Sequence, residues 1–204
     1  MTATSAPSVI RSGQIIRRAG IGDVEAIREL AESALTSAHW PATAYRDYCC
    51  GAEHEGDMQA KVLFVAVQNT HHTGGKTIGF AAFSAITEAG IGECELENMA
   101  VTAEWRRRGV GDRLLAAGLL WCRTWAPAAT LANSSGGFPA DGHGSPGVTT
   151  GSGLWLEVRA SNRGAAAFYE RAGFVVVGHR LAYYPEPTED AIVMRKVFDI
   201  STVC

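Results

Sequence analysis

The chain has no apolar run approaching the ~18 residues that cross a bilayer as a helix. Its first residues, MTATSAPSVIRSGQ, lack the charged, apolar and cleavage regions of a secretory signal. The two absences lead to the expectation of a cytoplasmic protein with no membrane partner. Five cysteines are present, but Cys49 and Cys50 are adjacent and no C-x-x-C pair occurs, so neither a disulfide framework nor a zinc signature is legible. Reduced thiols and no bound metal are expected. An excess of basic charge is also missing. Lys+Arg 18 against Asp+Glu 21 gives a formal net charge of −3, which argues against a general nucleic-acid binder and weakly suits a basic peptide.

What is present is a chain of 204 residues, 47% hydrophobic and 19% charged, long enough for one full core. Residues 1–13 are small and polar and read as a flexible N-terminal segment, followed by a single domain over residues 14–198. Alternation predicts a strand over Gln14 to Arg18, and apolar spacing predicts a helix over Asp23 to Leu35, capped by Gly22 or Asp23. A short helix over Ala42 to Cys50 follows the loop His39-Trp40-Pro41. Strands are expected over Lys61 to Val67, Thr77 to Ile86 and Glu93 to Val101. Val110, Leu114, Ala117, Trp121 and Trp125 form the stripe of a helix from Arg108 to Trp125, which Pro127 ends. Ala128 to Gly153 breaks the pattern, with seven glycines from Gly136 onward, two prolines and almost no apolar periodicity. This stretch reads as an insertion, which loop-closure entropy penalises little. Leu154 to Val158 is then a strand, Asn162 to Ala172 a helix stopped by Gly173, and Val175 to Ala182 and Ala191 to Val197 the last strands. The order β, two helices, three strands, helix, strand, helix, two strands is that of an α+β fold on a mixed sheet, without internal repeats.

The most informative segment is Asn98-Met99-Ala100-Val101 followed by Arg106-Arg107-Arg108-Gly109-Val110-Gly111-Asp112. Strand, bare turn and helix follow one another there, and such a turn grips a pyrophosphate. Glycines let the backbone approach an anion, and the helix start aims unpaired N–H groups and a positive dipole end at it, worth ~0.3–2 kcal/mol per well-placed negative group. The alternative is a solvated basic turn before a helix. Gly74-Gly75-Lys76-Thr77 mimics the end of a P-loop, but Thr70 stands where the first glycine is required and a strand pattern follows.

A second block, LWLEVRASNRGAAAFYERAGF from Leu154, then YYPEPTEDAIVMRK, completes a pattern. Together the blocks resemble the GNAT acetyltransferases. They look most like the RimI-type branch, bacterial enzymes that acetylate the N-terminal amine of a small-subunit ribosomal protein, and like related N-terminal acetyltransferases of archaea and eukaryotes. The resemblance covers about residues 14–196. It implies a GNAT fold, a mostly antiparallel seven-stranded sheet flanked by about four helices, with the fourth and fifth strands splayed around the pantetheine arm of acetyl-CoA. It also implies that Met99, Ala100 and Val101 pair with that arm and meet the thioester oxygen with backbone N–H groups, while the amides of Arg106 to Asp112 hold the pyrophosphate. Asn162 matches a position that touches the coenzyme, although by itself it reads as a helix cap.

Transfer to an amine needs a base, a polarised carbonyl and a proton for the leaving thiolate. Glu157 lies within Leu-Trp-Leu-Glu-Val, sharing a face with Trp155 and Arg159, and a carboxylate amid aromatics can act as general base. The RimI-type base falls at this position; the alternative is a strand residue paired with Arg159. By the same resemblance Tyr169 is the general acid, and a phenol of pKa ~10 gives a proton to a thiolate of ~8.5 only modestly uphill. Its alternative is a packed aromatic. Glu93, Glu95 and Glu97 alternate onto one face and offer a rival base or an acidic rim. A single glutamate suits an α-amine, because a lysine costs ~3–4 kcal/mol more to deprotonate. Tyr183 and Tyr184, with Trp40 after the first helix, resemble the elements that cover a peptide's first residues in N-terminal acetyltransferases, and could equally be packing. The expected function is acetyl transfer from acetyl-CoA to a protein N-terminus, with alanine of a ribosomal protein as acceptor. The alternatives are a GNAT acting on a small amine or lysine, and a non-catalytic acetyl-CoA-binding module.

Overall fold

The structure, a computed structural model, describes residues 8–10, 13–34, 38–50, 59–69, 75–88, 91–125 and 152–198. It divides into two compact units, Met1–Ser84 with Leu96–Trp121, and Ala85–Glu95 with Cys122–Cys204. Among the described residues, four α-helices and a mostly antiparallel sheet give the expected α+β fold, and an eighth strand joins the seven expected. The additional strand, β1 (Ser8–Ile10), pairs with β2 (Gln14–Arg18), placing Val9 opposite Ile15. Residues 126–151, which include most of the Gly-rich stretch 128–153, lie outside the described residues. Among the described residues no helix is long and apolar enough to cross a membrane.

In the first unit the strands follow one another as β1-β2-β3-β4-β5, where β3 is Gln59–Gln68, β4 Lys76–Glu88 and β5 Ile91–Val101. The far ends of β4 and β5, Ala85–Glu95, belong to the second unit. Continuous apolar runs make β3 and β4 strands that bury both faces, from Val62 to Val67 and from Phe80 to Phe83. Helix α1 (Val24–Ser33) lays its stripe of Val24, Ile27 and Leu30 against Tyr45 and Tyr48 of α2 (Ala42–Cys50) and Leu63 of β3. Full burial of such side chains stabilises by about 1.5–3 kcal/mol each. Asp23 precedes α1 as expected, but its carboxylate accepts from the Gly20 amide at 2.8 Å and from Arg17 at 2.7 Å instead of capping the helix. Helix α3 (Val110–Trp125) buries Val110, Leu114, Leu115 and Trp121.

The second unit orders its later strands β6-β8-β7, with β6 at Gly153–Arg159, β7 at Val175–Pro185 and β8 at Thr188–Val197. The last strand in sequence thus lies between its two predecessors. Alternation in β6 buries Leu154, Leu156 and Val158 and turns Trp155, Glu157 and Arg159 to the other face. Register carries that face across the sheet in rows. Glu157 lies opposite Val193, itself opposite Gly178, whereas Arg159 and Arg180 both lie opposite Ala191. Helix α4 (Arg163–Arg171) ends at Gly173, whose φ of +87° is the left-handed stop expected there, and Lys196 donates to the terminal Ala172 carbonyl.

Candidate active site

In the first unit, β5 ends in a short 3-10 turn at Ala103–Trp105, and the arginine run follows it. Arg107 (φ 56°) and Gly109 (φ 78°) both take left-handed conformations, and α3 begins immediately afterwards. The first helical bond runs from the Arg113 amide to the Gly109 carbonyl at 3.2 Å, so the amides of Val110, Gly111 and Asp112 are the orphan donors of a helix start. The Arg106 amide is already used, donating to Ala103 O at 3.3 Å, which shortens the expected cradle by one donor. Arg106 Nε donates to the Val101 carbonyl at 3.0 Å, and Arg108 lies over the Trp105 ring at 5.2 Å. All three arginines are exposed, whereas Met99 and Val101 are half-buried and Ala100 buried.

A cavity of about 280 Å³ opens beside this turn, lined by Ser33, Lys76, Val101, Thr102, Glu104 and Arg106. The Thr102 hydroxyl is buried without a hydrogen-bond partner among the described residues. The cavity itself gathers Lys76, Arg106 and the orphaned hydroxyl beside the acidic Glu104, while Arg107, Arg108 and the helix-start amides, groups of the kind that suit a polyanion such as the diphosphate of a coenzyme, do not line it. Among the described residues no cluster of His, Cys, Asp and Glu is gathered that could hold a metal.

The second unit carries the acid–base candidates. Glu157 does not pair with Arg159; it forms an ion pair with Arg180 of β7, Nη2 to Oε1 3.2 Å. Arg159 instead reaches Glu189 at 3.4 Å and the Glu186 carbonyl at 3.1 Å, and lies over the Tyr184 ring at 4.1 Å. Tyr183 meets Tyr184 edge-on at 5.1 Å and carries Arg180 over its ring at 5.3 Å. Burial pushes the Tyr184 hydroxyl up to about 12; the Tyr183 hydroxyl is also raised, by burial and by the negative charges of Glu157 and Glu95. The expected alternation of Glu93, Glu95 and Glu97 onto one face holds, with Cys94, Leu96 and Asn98 buried between them. Glu93 is committed. Its carboxylate accepts from Trp155 Nε1 and from Arg195 at 3.0 Å, and burial nevertheless raises its pKa.

Tyr169 sits on α4, buried between Phe168 at 5.1 Å and Phe174 at 5.6 Å. Burial, with a smaller contribution from Tyr184, holds its hydroxyl well above the ordinary phenol range. Release of its proton to a thiolate is therefore more uphill than for an ordinary phenol of pKa ~10. Asn162 is the N-cap of α4, its side chain accepting from the Ala165 amide at 3.2 Å. Asn162→Ala is expected to cost about 1 kcal/mol in urea denaturation; a separate loss of coenzyme affinity would show a second role.

Trp40 is half-buried. It stacks on Tyr48 at 5.3 Å and meets Tyr45 at 5.4 Å, against the α1–α2 core. Asn98, at the start of the Asn98–Val101 run and given no role of its own there, is 5% exposed and donates to the Ala38 carbonyl at 2.8 Å, tying β5 to the loop before α2. Alternation along β5 signals this, putting an amide on the buried face with Leu96 and Ala100, where it needs a partner.

Comparison with known proteins follows the same lines. The ribosomal protein bS18-alanine N-acetyltransferase of Salmonella typhimurium is 40% identical over 116 residues, 56% of this chain and 62% of that protein. N-alpha-acetyltransferase RimI of Mycobacterium tuberculosis is 30% identical over 124 residues, 61% of each chain. The matches span less than two thirds of the length of these curated relatives. The crystal structure of the ribosomal-protein-S18-alanine N-acetyltransferase from Escherichia coli shares the fold, with a TM-score of 0.60 at 24% identity over 94% of this chain and 96% of that one. The family model described as an acetyltransferase (GNAT) domain matches residues 59–176, more than half of the sequence, and the chain belongs to the GNAT acetyltransferase family.

Proposed function

We propose that this protein is an acetyl-CoA-dependent N-alpha-acetyltransferase of the cytoplasm, acting on the N-terminal alanine of a small-subunit ribosomal protein. The observation that carries the choice of acceptor is the 40% identity to a ribosomal protein bS18-alanine N-acetyltransferase. The Tyr183–Tyr184 pair, set among Glu157, Glu189 and their arginines, supports it as a surface for a cationic peptide terminus.

Acetyl-CoA would supply the acyl carbon as a thioester. In this reading the amides of Val110, Gly111 and Asp112, with Arg106, Arg107 and Arg108, hold the pyrophosphate, and Met99, Ala100 and Val101 present strand backbone to the pantetheine arm. Glu157 accepts the proton of the α-amine, and the Tyr169 hydroxyl offers its proton to the departing thiolate. Held above the usual phenol range, Tyr169 acts first as a hydrogen-bond donor to the developing sulfur charge. Tyr169→Phe is expected to lower kcat about tenfold with the KM for peptide and coenzyme little changed; steady-state kinetics showing normal kcat would reduce Tyr169 to packing.

Incubation with acetyl-CoA and unmodified small-subunit ribosomal proteins, read by intact-mass spectrometry and peptide mapping, tests the whole reading. One acetyl group on a single N-terminus is the expected product. Acetylation at lysine side chains only, or none, would contradict it.

A further inference from the structure

We propose that Arg180 is a positioning and selectivity residue for the acceptor: its guanidinium holds the Glu157 carboxylate in the free protein and is displaced by the acceptor's own ammonium. The proposal rests on the reading that Glu157 receives the acceptor's proton.

The sheet order makes the contact possible. Arg180 lies on β7 and Glu157 on β6, with β8 between them, so the arginine reaches diagonally across Val193 to bond the carboxylate at 3.2 Å. The floor of that crossing is small. Ala191 and Val193 lie beneath it, and a Cβ added at Gly178 would meet nothing within 4 Å. Open space therefore remains over Gly178, at the far end of the row that starts at Glu157.

Exposure decides which partner yields. The Glu157 side chain is 12% exposed and that of Arg180 56%. A carboxylate so far withdrawn from water loses much if left without a counter-charge, whereas an exposed guanidinium returns to solvent at little cost. Arg180 also has a second resting place on the Tyr183 ring. Arg159, across Ala191, cannot play this part. It is 17% exposed and held by Glu189, the Glu186 carbonyl and the Tyr184 ring. An incoming α-ammonium offers Glu157 the same charge as Arg180, and the exchange leaves net charge unchanged. The guanidinium keeps all its protons, so the proton that Glu157 later accepts comes from the acceptor nitrogen. Neutral amides and blocked termini cannot make the exchange, and a site guarded by a guanidinium rejects them.

The test compares the full chain with Arg180→Met and Arg180→Lys, using saturating acetyl-CoA and a peptide that begins with free alanine. The methionine variant removes the competitor and should lower the peptide KM about fivefold with kcat within about twofold. The lysine variant restores a cation and should return KM toward the wild-type value. A purely structural role would not lower KM, so an unchanged or raised KM in Arg180→Met overturns the proposal. A readout independent of turnover accompanies it. In wild-type protein saturated with CoA, the arginine side-chain 15N signal missing from the Arg180→Lys spectrum should move when the peptide is added, and a stationary signal also overturns the proposal. If the wild-type chain acetylates a lysine peptide instead, the N-terminal reading fails by itself, and the same three proteins compared on lysine peptide still decide the role of Arg180.

Discussion

Glu157→Gln is expected to lower kcat at least tenfold, and by up to the ~10²–10⁴ that general acid–base catalysis contributes, while the affinity for coenzyme stays nearly intact. The amide preserves the shape of the side chain and still accepts a hydrogen bond from Arg180, but it cannot take a proton from an amine. The substitution removes no residue expected to hold the coenzyme, neither Met99 to Val101, Arg106 to Asp112 nor Asn162, so coenzyme affinity is expected to stay. Steady-state kinetics at saturating acetyl-CoA, with coenzyme titration by calorimetry, measure both. An unchanged kcat would move the base to the β5 glutamates, of which Glu93 is already held by Trp155 and Arg195.

Gly118→Ala is the substitution with the largest expected effect on stability. In a helix interior alanine ordinarily gains about 1 kcal/mol over glycine. Here a Cβ at position 118 would stand 1.9 Å from Phe83 Cζ and 2.3 and 2.4 Å from two further ring carbons. Phe83 is fully buried and meets Phe64 edge-on at 6.3 Å, so its ring cannot retreat into solvent. Overpacking of this kind costs about 1–3 kcal/mol, occasionally more, and the contact is close enough for that cost to exceed the gain in propensity. The expected net loss is about 2 kcal/mol, or roughly 4–8 °C in Tm for a chain of this size. Thermal unfolding measures it. Combining Gly118→Ala with Phe83→Leu should restore part of the loss, because the smaller side chain vacates the position; a rise in Tm for the single variant would show that the ring swings aside.

The local elements were largely legible. Helix α2 falls on the residues its pattern predicts, and β6 and α4 differ from their expected bounds by one residue at each end. These segments carry strong periodicity or a cap and a stop, Asn162 and Gly173, that act within a few residues. Asn162 did turn out to cap α4, and Glu157 does face the same way as Trp155 and Arg159. What the sequence could not show is who meets whom across strands. Sequence proximity made Arg159 the natural partner of Glu157, but β8 inserts between β6 and β7 and brings Arg180 to the carboxylate instead. Residue type alone likewise does not show that the Trp40 ring stacks on Tyr48, or that burial raises the proton affinity of Tyr169. Helix α3 starts at Val110, not Arg108, because Arg107 and Gly109 take left-handed conformations that no apolar stripe encodes.

Acetyl transfer to a peptide beginning with free alanine, measured beside the same peptide with a blocked N-terminus and an internal lysine, separates an N-terminal acetyltransferase from one that acts on lysine. Transfer from acetyl-CoA to the free terminus is expected, and none to the blocked peptide. Transfer to the internal lysine, or to neither peptide, would contradict it.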